Sequence, residues 1–385
     1  MAEYNFPSIL VLGSTGSVGS QSIAVARECG ALVRGISGNR NWRLAEEQVR
    51  ALGVPVAVMA DEKAASELRV ALADTDTKVL AGEAGIEEMI KSSDAEVAVN
   101  AILGEAGLMP SLHIIDAGLD LALANKETLV VAGDIVMDAA ATKGVPIIPV
   151  DSEHCAIWQC LRAGELREVK SLILTCSGGP FFGKNRAELE KLTLDDALAH
   201  PTWSMGAKIT VDSATLMNKG FEVIEAAHLF GVPADRIDVV VHRESIIHSM
   251  VEYIDNSVMA QMSVPDMRLC VQYALSVPRR TRAIIPPLDL AALGKMTFFK
   301  PDNEAFPLLA AARRAYAAGG AVPAVLNAAN EVAVAAFLER KLSFVGIFDV
   351  VLRVMDEMSH AKNAKTLSEI LDADREARDR AAARI

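Results

Sequence analysis

Apolar and polar positions along the chain fall into two styles. From residue 8 to residue 150, short β-branched runs alternate with alanine-rich stretches of helical period. The runs Ile9–Leu12, Leu32–Ile36, Pro55–Met59, Lys78–Leu80, Val97–Asn100, Leu121–Ala124 and Ile147–Val150 predict strands. The stretches Ser17–Glu28 and Trp42–Leu52, among others, predict the helices between them. Strands separated by helices need crossover connections and therefore a parallel sheet. The expected class is α/β, with a doubly wound N-terminal domain over residues 1–150.

From Asp151 the pattern changes. Ser171–Thr175, Ile237–Val241, Met250–Tyr253 and Val258–Gln261 read as strands. Asp255-Asn256-Ser257 supplies a hairpin turn between the last two. With a helix expected from about Ser213 to Phe230, residues 151–282 read as a central α+β domain with a mixed or antiparallel sheet. The segment 283–307 carries Pro286, Pro287, Pro301 and Pro307, shortly after Pro278, and reads as an ordered linker. Beyond it, Leu308–Ala318, Val322–Arg340 and Phe344–Met358 are apolar at helical spacing, so residues 308–385 predict a C-terminal helical bundle ending in a charged helix or frayed tail over Asp372–Ile385.

The chain has 385 residues, enough for two or three domains. Its net charge of −12 argues against nucleic acid as a partner, because phosphate neutralisation needs a basic surface. That balance leaves small anionic ligands open. No uncharged apolar run reaches the roughly 18 residues of a membrane span, so no membrane partner is expected. Residues 1–7 have no basic stretch leading into an apolar one, and the run after them reads as a strand rather than a signal peptide. Five scattered cysteines without a CxxC point to reduced thiols and a cytoplasmic protein.

Candidate chemistry begins at Gly13-Ser14-Thr15-Gly16-Ser17-Val18-Gly19, between a predicted strand and a predicted helix. In a Rossmann-type domain such a turn lets the backbone approach a dinucleotide pyrophosphate at a helix N-terminus. A turn serving only helix–strand packing is the bland alternative. After the second strand comes Ser37-Gly38-Asn39-Arg40-Asn41, with no acid before Glu46. An NAD-binder places an acid there for the ribose hydroxyls, whereas Arg40, with Arg43 or Arg34 in reserve, can pair with a 2′-phosphate. NADPH is therefore expected over NADH, against the alternative of a solvated surface arginine.

Asp151-Ser152-Glu153-His154 follows the strand Ile147–Val150. In an extended segment Asp151 and Glu153 would project to one side. Further on, Asp212-Ser213 reads as a helix start, and Asn218, Lys219 and Glu222 would share one helical face. Clustered carboxylates select a hard ion, Mg2+ or Mn2+, rather than zinc. Helix capping by Asp151 and an intrahelical ion pair at Glu222 compete evenly with that reading. His200 and Trp203 lie in a glycine-containing stretch that suggests a lid, or a loop whose indole packs on the core. Cys176, before Ser177-Gly178-Gly179, would be the nucleophile of a phosphorylating or semialdehyde dehydrogenase. A non-catalytic NADP-binding sensor would keep only the glycine turn.

Taken in order, several segments resemble the 1-deoxy-D-xylulose 5-phosphate reductoisomerases. They are Gly13–Gly19, Leu123-Ala-Asn125-Lys126-Glu127, Asp151–His154, Ser177-Gly-Gly-Pro-Phe181, His200–Gly206, Val211–Gly220, Pro265-Asp-Met-Arg268 and Leu326–Val332. The resemblance runs from residue 8 to about residue 350. It departs at Val241-His242-Arg243-Glu244-Ser245, where many members carry His-Pro-Gln-Ser, and at Glu105, where alanine is common.

The resemblance implies conversion of 1-deoxy-D-xylulose 5-phosphate to 2-C-methyl-D-erythritol 4-phosphate in non-mevalonate isoprenoid biosynthesis, by rearrangement and then reduction. It implies NADPH at Gly13–Gly19, Gly38, Asn39, Arg40, Asn125 and Glu127, and a metal at Asp151, Glu153 and Glu222. It implies a substrate phosphate at Ser177, Ser213, Asn218 and Lys219, assisted by His200. Lys126 and Ser152 would contact the substrate backbone and Trp203 would belong to the lid. Lys126, Glu153 and His200 are the catalytic candidates. The implied partners are the small phosphorylated sugar and a second copy of the chain in a homodimer, held through residues 151–282. The flexible loop would span about 177–206.

Overall fold

The computed structural model describes residues 5–199, 202, 203 and 205–385. It divides into two compact units, and each is built from more than one stretch of chain. The first comprises residues 1–125, 136–155 and 266–286, the second residues 126–135, 156–265 and 287–385.

The first unit is organised on a seven-stranded parallel sheet. Its strands are β1 (Ile9–Leu12), β2 (Val33–Gly38), β3 (Val56–Met59), β4 (Lys78–Ala81), β5 (Val97–Asn100), β6 (Asp120–Leu123) and β7 (Ile147–Pro149). They lie in the order β4-β3-β2-β1-β5-β6-β7. β1 and β5 are buried along their whole length, as expected of central strands covered by helices on both faces. β4 closes one edge, and its exposed Lys78 blunts that edge against further pairing. The strand order reverses between β1 and β5. Such a switch point opens a crevice at the carboxyl ends of the strands, where ligands bind in this class of sheet. Every strand predicted here is present, β1 and β5 with the predicted ends and the others with ends shifted by one or two residues.

Helix Met267–Ser276 also belongs to this unit, where it packs on helix Ser17–Cys29. The contact grouping therefore differs from the linear boundaries expected from the sequence. Periodicity reports which face of an element is apolar, not which distant element covers it.

The second unit carries a four-stranded mixed sheet. Its strands β8 (Val169–Cys176), β9 (Ile237–Val241), β10 (Ile247–Tyr253) and β11 (Val258–Met262) are ordered β11-β10-β8-β9. β8 and β9 run parallel and the other pairs antiparallel. The β10–β11 hairpin turns at Asn256, whose φ of 66° suits asparagine. Helices Leu308–Ala318, Val322–Leu338, Phe344–Glu357 and Leu367–Ala382 form the predicted helical region, with Val322–Leu338 packed against the two that follow it. The tail is helical and is capped by a reciprocal Thr366–Glu369 pair.

Two local expectations are corrected. The single helix expected from Ser213 to Phe230 is two, Ala207–Ala214 and Met217–Phe230, separated by Leu216 at φ 60°. Ser213 therefore ends a helix rather than starting one. Asp151 and Glu153 are not on an extended segment either. Asp151 accepts from the Glu153 N–H at 3.1 Å, and Ser152–Cys160 is already helical. The Asp151 carboxylate satisfies an orphan amide of the first turn, which the alternation rule for strands does not anticipate.

Candidate functional site

The glycine turn leaves β1 at the sheet's switch point. Gly13 has φ +77°, and a Cβ there would lie 2.6 Å from the Ala101 carbonyl oxygen. Gly19 lies so tightly against the Gly13 carbonyl that no side chain fits. The turn is pinned to β2 by Ser14 N–H donating to the Ser37 carbonyl (2.7 Å) and Gly13 N–H donating to Ser37 Oγ (3.1 Å). Gly16 precedes the first turn of helix Ser17–Cys29, which has no side-chain cap and no acid in its first turn. The Gly16 N–H donates to the Gly13 carbonyl at 3.0 Å, so the orphan N–H groups are those of the first helical turn, from Ser17 and Val18 on, an arrangement that suits an anion. Gly38 closes β2 beside Thr15, and a Cβ at Gly38 would meet Thr15 Oγ1 at 3.1 Å. Asn39 and Arg40 follow directly. The Arg40 side chain is 83% exposed and 3.4 Å from Asp61, so its guanidinium is available to a soluble anion.

At the end of β6, Asn125 donates to the carbonyls of Ile102 (2.7 Å) and Gly104 (2.8 Å), so its amide fixes the β5 loop. After β7, Ser152 donates to Glu153 Oε2 at 2.5 Å. Asp151 and Glu153 thus form a carboxylate pair at a helix N-terminus, where partial positive charge favours anions.

The second unit brings together Lys126, Asn218, Lys219 and Glu222. Lys126 Nζ donates to Asn218 Oδ1 (2.7 Å) and Glu222 Oε1 (3.1 Å). Asn218 Nδ2 donates to Glu222 Oε1 at 2.5 Å, and Lys219 pairs with the other carboxylate oxygen. Asn218, Lys219 and Glu222 share one helical face, as their spacing predicts. Lys219 and Glu222 are 2% and 1% exposed, so the charges compensate one another out of water.

The turn that follows Ser177 meets the Ser213 backbone through Gly179. A Cβ on Gly179 would lie 2.8 Å from the Ser213 carbonyl oxygen, and Gly179 has φ +65°. Phe181, just beyond, is buried and meets Phe344 edge-on at 4.8 Å, which anchors the turn in the helical region. Trp203 lies 6.1 Å from the His248 ring, centroid to centroid. His200 lies outside the described residues.

Glu127, expected at the cofactor, pairs with Lys208 at 2.6 Å. Lys208 also reaches Asp212 at 2.9 Å and lies over the Phe221 ring at 5.3 Å. Asp212 accepts in turn from Asn330 at 2.8 Å. Burial alone would raise the Glu127 carboxyl, but Lys208 beside it holds it below the usual range. Burial raises Asp212 despite Lys208 and Asn330. The residues flanking Lys126 and Ser213 are thereby tied together. Sequence reasoning missed Lys208, because its i,i+4 partner Asp212 was placed at a helix start rather than inside the last turn. Arg243 and His248 were also missed as functional candidates, since their partners lie far along the chain.

Comparison with known proteins places these features in one family. Three family models match in succession. The first, 1-deoxy-D-xylulose 5-phosphate reductoisomerase, covers residues 9–133. The C-terminal domain of that enzyme covers residues 147–230, and the DXP reductoisomerase C-terminal domain covers 262–380. A 1-deoxy-D-xylulose 5-phosphate reductoisomerase from Caldanaerobacter subterraneus is 48% identical over 97% of both chains. One from Pelotomaculum thermopropionicum is 49% identical, again over 97% of both. The Zymomonas mobilis enzyme, solved in complex with NADPH, superimposes with a TM-score of 0.90 at 40% identity, covering 98% of this chain and 99% of that one. A DOX-P reductoisomerase in complex with NADPH, fosmidomycin and magnesium gives 0.93 at 36%, covering 98% of both.

The class is thus an α/β dinucleotide-binding fold with an added catalytic region. Within it, the chain belongs to the 1-deoxy-D-xylulose 5-phosphate reductoisomerase family. Membership removes the support for a Cys176-dependent dehydrogenase and for a non-catalytic sensor.

Proposed function

We propose that the chain converts 1-deoxy-D-xylulose 5-phosphate to 2-C-methyl-D-erythritol 4-phosphate, using NADPH and a divalent metal, in non-mevalonate isoprenoid biosynthesis. The observation that carries this reading is the linked quartet of buried Lys126, Lys219 and Glu222 with half-buried Asn218, present in a member of the matching family. The donor set Asp151, Glu153 and Glu222 consists only of carboxylates, which suits Mg2+ or Mn2+. The uncapped N-terminus after Gly16 suits a pyrophosphate, and exposed Arg40 suits a 2′-phosphate.

When bound, the metal supplies Lewis-acid charge to substrate oxygens and the dinucleotide supplies reducing equivalents. The chain's residues do the rest. Gly13–Gly19, Gly38, Asn39 and Arg40 bind the dinucleotide, while Asn125 shapes the loop beside it. Asp151, Glu153 and Glu222 hold the metal. Ser177, Ser213, Asn218 and Lys219 hold the phosphate away from the reacting carbons, so remote binding energy orients the substrate. Lys126 and Ser152 contact its backbone. Glu153 Oε2, which already accepts the Ser152 hydroxyl, receives a substrate proton. His200 and Trp203 exclude water as the lid closes.

We retain the functional division into residues 1–150, 151–282 with the loop near 177–206, 283–307 and 308–385. The protein acts in the cytoplasm as a homodimer. Ile254, Val258 and Met259, exposed at the β10–β11 hairpin, provide apolar surface for a second copy. Sedimentation at micromolar concentration should give twice the chain mass.

The decisive assay mixes protein, NADPH, Mg2+ and deoxyxylulose phosphate. NADPH should be consumed only with all components present. Chelation should stop the reaction and Mg2+ or Mn2+ should restore it; full turnover in chelator would remove the metal from the scheme.

A further inference from the structure

The turn that follows β8 has no ladder to hold it. Gly178 and Gly179 take φ of +75° and +65° in succession. Side chains are excluded at both, since a Cβ would lie 2.9 Å from Val241 Cγ1 at the first and 2.8 Å from the Ser213 oxygen at the second. Two consecutive glycines make the turn expensive to order, because glycine loses the most backbone freedom on folding. Something else must fix it.

That role falls to Arg243, where the sequence departs from the pattern many members share. Its Nη1 donates to two carbonyls of the turn, Ser177 O at 2.5 Å and Gly179 O at 2.7 Å. One nitrogen carries two hydrogens, so both bonds form together. The guanidinium also lies over the Phe182 ring at 5.1 Å, and Phe182 rests against Phe299 at 5.1 Å. Phe299 is fastened to Val241 by paired backbone bonds of 2.8 and 2.9 Å. The neighbouring Glu244 directs its carboxylate to Thr297 instead, at 2.8 Å from Oγ1. The cation's hydrogen bonds therefore go to the turn.

We infer that Arg243 is a positioning residue for the phosphate subsite, acting through the Ser177–Gly179 turn rather than by touching the ligand. Peptide planarity carries the effect. Holding the Ser177 carbonyl toward Arg243 turns the Gly178 N–H to the opposite side. The Gly179 N–H donates to Ser177 Oγ at 3.1 Å, which orients that hydroxyl. A cation behind the turn also withdraws charge from its carbonyls, which strengthens the amide donors on the far side. This inference rests on the proposed placement of the substrate phosphate at Ser177.

The test uses the full-length protein with Arg243→Met, which keeps the stem against Phe182, and Arg243→Lys, which keeps the charge without the fork. Binding of inorganic phosphate is measured by calorimetry, and KM and kcat are measured with deoxyxylulose phosphate and NADPH. Arg243→Met should raise the phosphate dissociation constant and the sugar KM together by about tenfold, the scale of one charge-assisted contact. kcat should fall less than KM rises, and KM for NADPH should stay at the wild-type value. Arg243→Lys should show a rise of about threefold in the same two constants. Methionine values equal to wild type overturn the inference, and if that variant does not fold, Arg243→Gln, which removes the charge, is measured in the same way and overturns it with wild-type values. A parallel rise in KM for NADPH overturns it too, because that marks general loosening. Wild-type protein that fails to consume NADPH with deoxyxylulose phosphate refutes the proposed function instead; the calorimetric comparison decides Arg243 without turnover.

Discussion

Lys126 and Glu222 form a buried ion pair, Nζ to Oε1 3.1 Å, with side chains 7% and 1% exposed. Lys219 holds the other Glu222 oxygen. One carboxylate therefore serves two ammonium groups, and it is also the proposed metal ligand. For Glu222 to turn to a cation, the lysines need other partners: the substrate phosphate is the one proposed for Lys219, and the substrate backbone the one proposed for Lys126.

Metal and phosphate binding should consequently be coupled. Mg2+ affinity measured by calorimetry should rise about 5-fold or more when a sugar phosphate is present, and the sugar phosphate should gain the same factor from Mg2+. Glu222→Gln should remove the coupling, lower kcat strongly and leave NADPH binding near wild type. Mg2+ affinity that is indifferent to the phosphate would sink the coupling.

Lys208 predicts a different phenotype. It neutralises Glu127 and Asp212 inside the second unit. Removing one partner of a buried ionic group leaves uncompensated charge and costs about 3–5 kcal/mol. Lys208→Met should be destabilised on that scale in denaturant unfolding. Asp212, whose carboxyl burial already raises, should take up a proton in the variant. Asp212→Asn in that background should recover part of the loss; a double variant no more stable than Lys208→Met would contradict this assignment.

The parallel sheet was legible because its strands are continuous apolar runs punctuated by glycine. The glycine turn and the Asn218–Glu222 face were legible because their geometry is local in sequence. Ser213 was misplaced because Leu216 breaks the helix in a left-handed conformation, and a leucine gives no sign of that. Arg243 was noticed only as a departure. Its partners are carbonyls more than sixty residues away, and carbonyls leave no trace in side-chain patterns. The return of helix Met267–Ser276 to the first unit is likewise a tertiary choice that periodicity does not encode.

Arg40 should matter to the cofactor and hardly at all to the fold. Its pair with Asp61 is exposed, and such pairs contribute about 0–1 kcal/mol. A charge-assisted contact to a 2′-phosphate is worth about 1.5–3 kcal/mol. Arg40→Ala should raise KM for NADPH about tenfold or more, narrow the preference over NADH and leave the unfolding midpoint unchanged. Equal KM values in variant and wild type would assign the 2′-phosphate to another residue.

His248 sets an acid limit on stability. Burial pushes its imidazole down to about 4, opposed by the Ser263 and Val264 backbone and reinforced by the nearby charges of His242 and Lys219. The Ser263 hydroxyl donates to the Val264 carbonyl at 3.0 Å, so in the 2.8 Å contact His248 Nε2–H is the donor to Ser263 Oγ. A folded-state value below the unfolded one means the unfolded chain binds more protons between pH 6.5 and 4. Stability from this group is complete above pH 6.5, falls as the pH drops and is gone below 4. The shift amounts to about 3 kcal/mol. His248→Asn keeps a side-chain N–H donor and cannot titrate. Measured against wild type, it should lose less stability between pH 6.5 and 4, by up to about that amount. Parallel stability curves for the two proteins would show that His248 is not buried neutral.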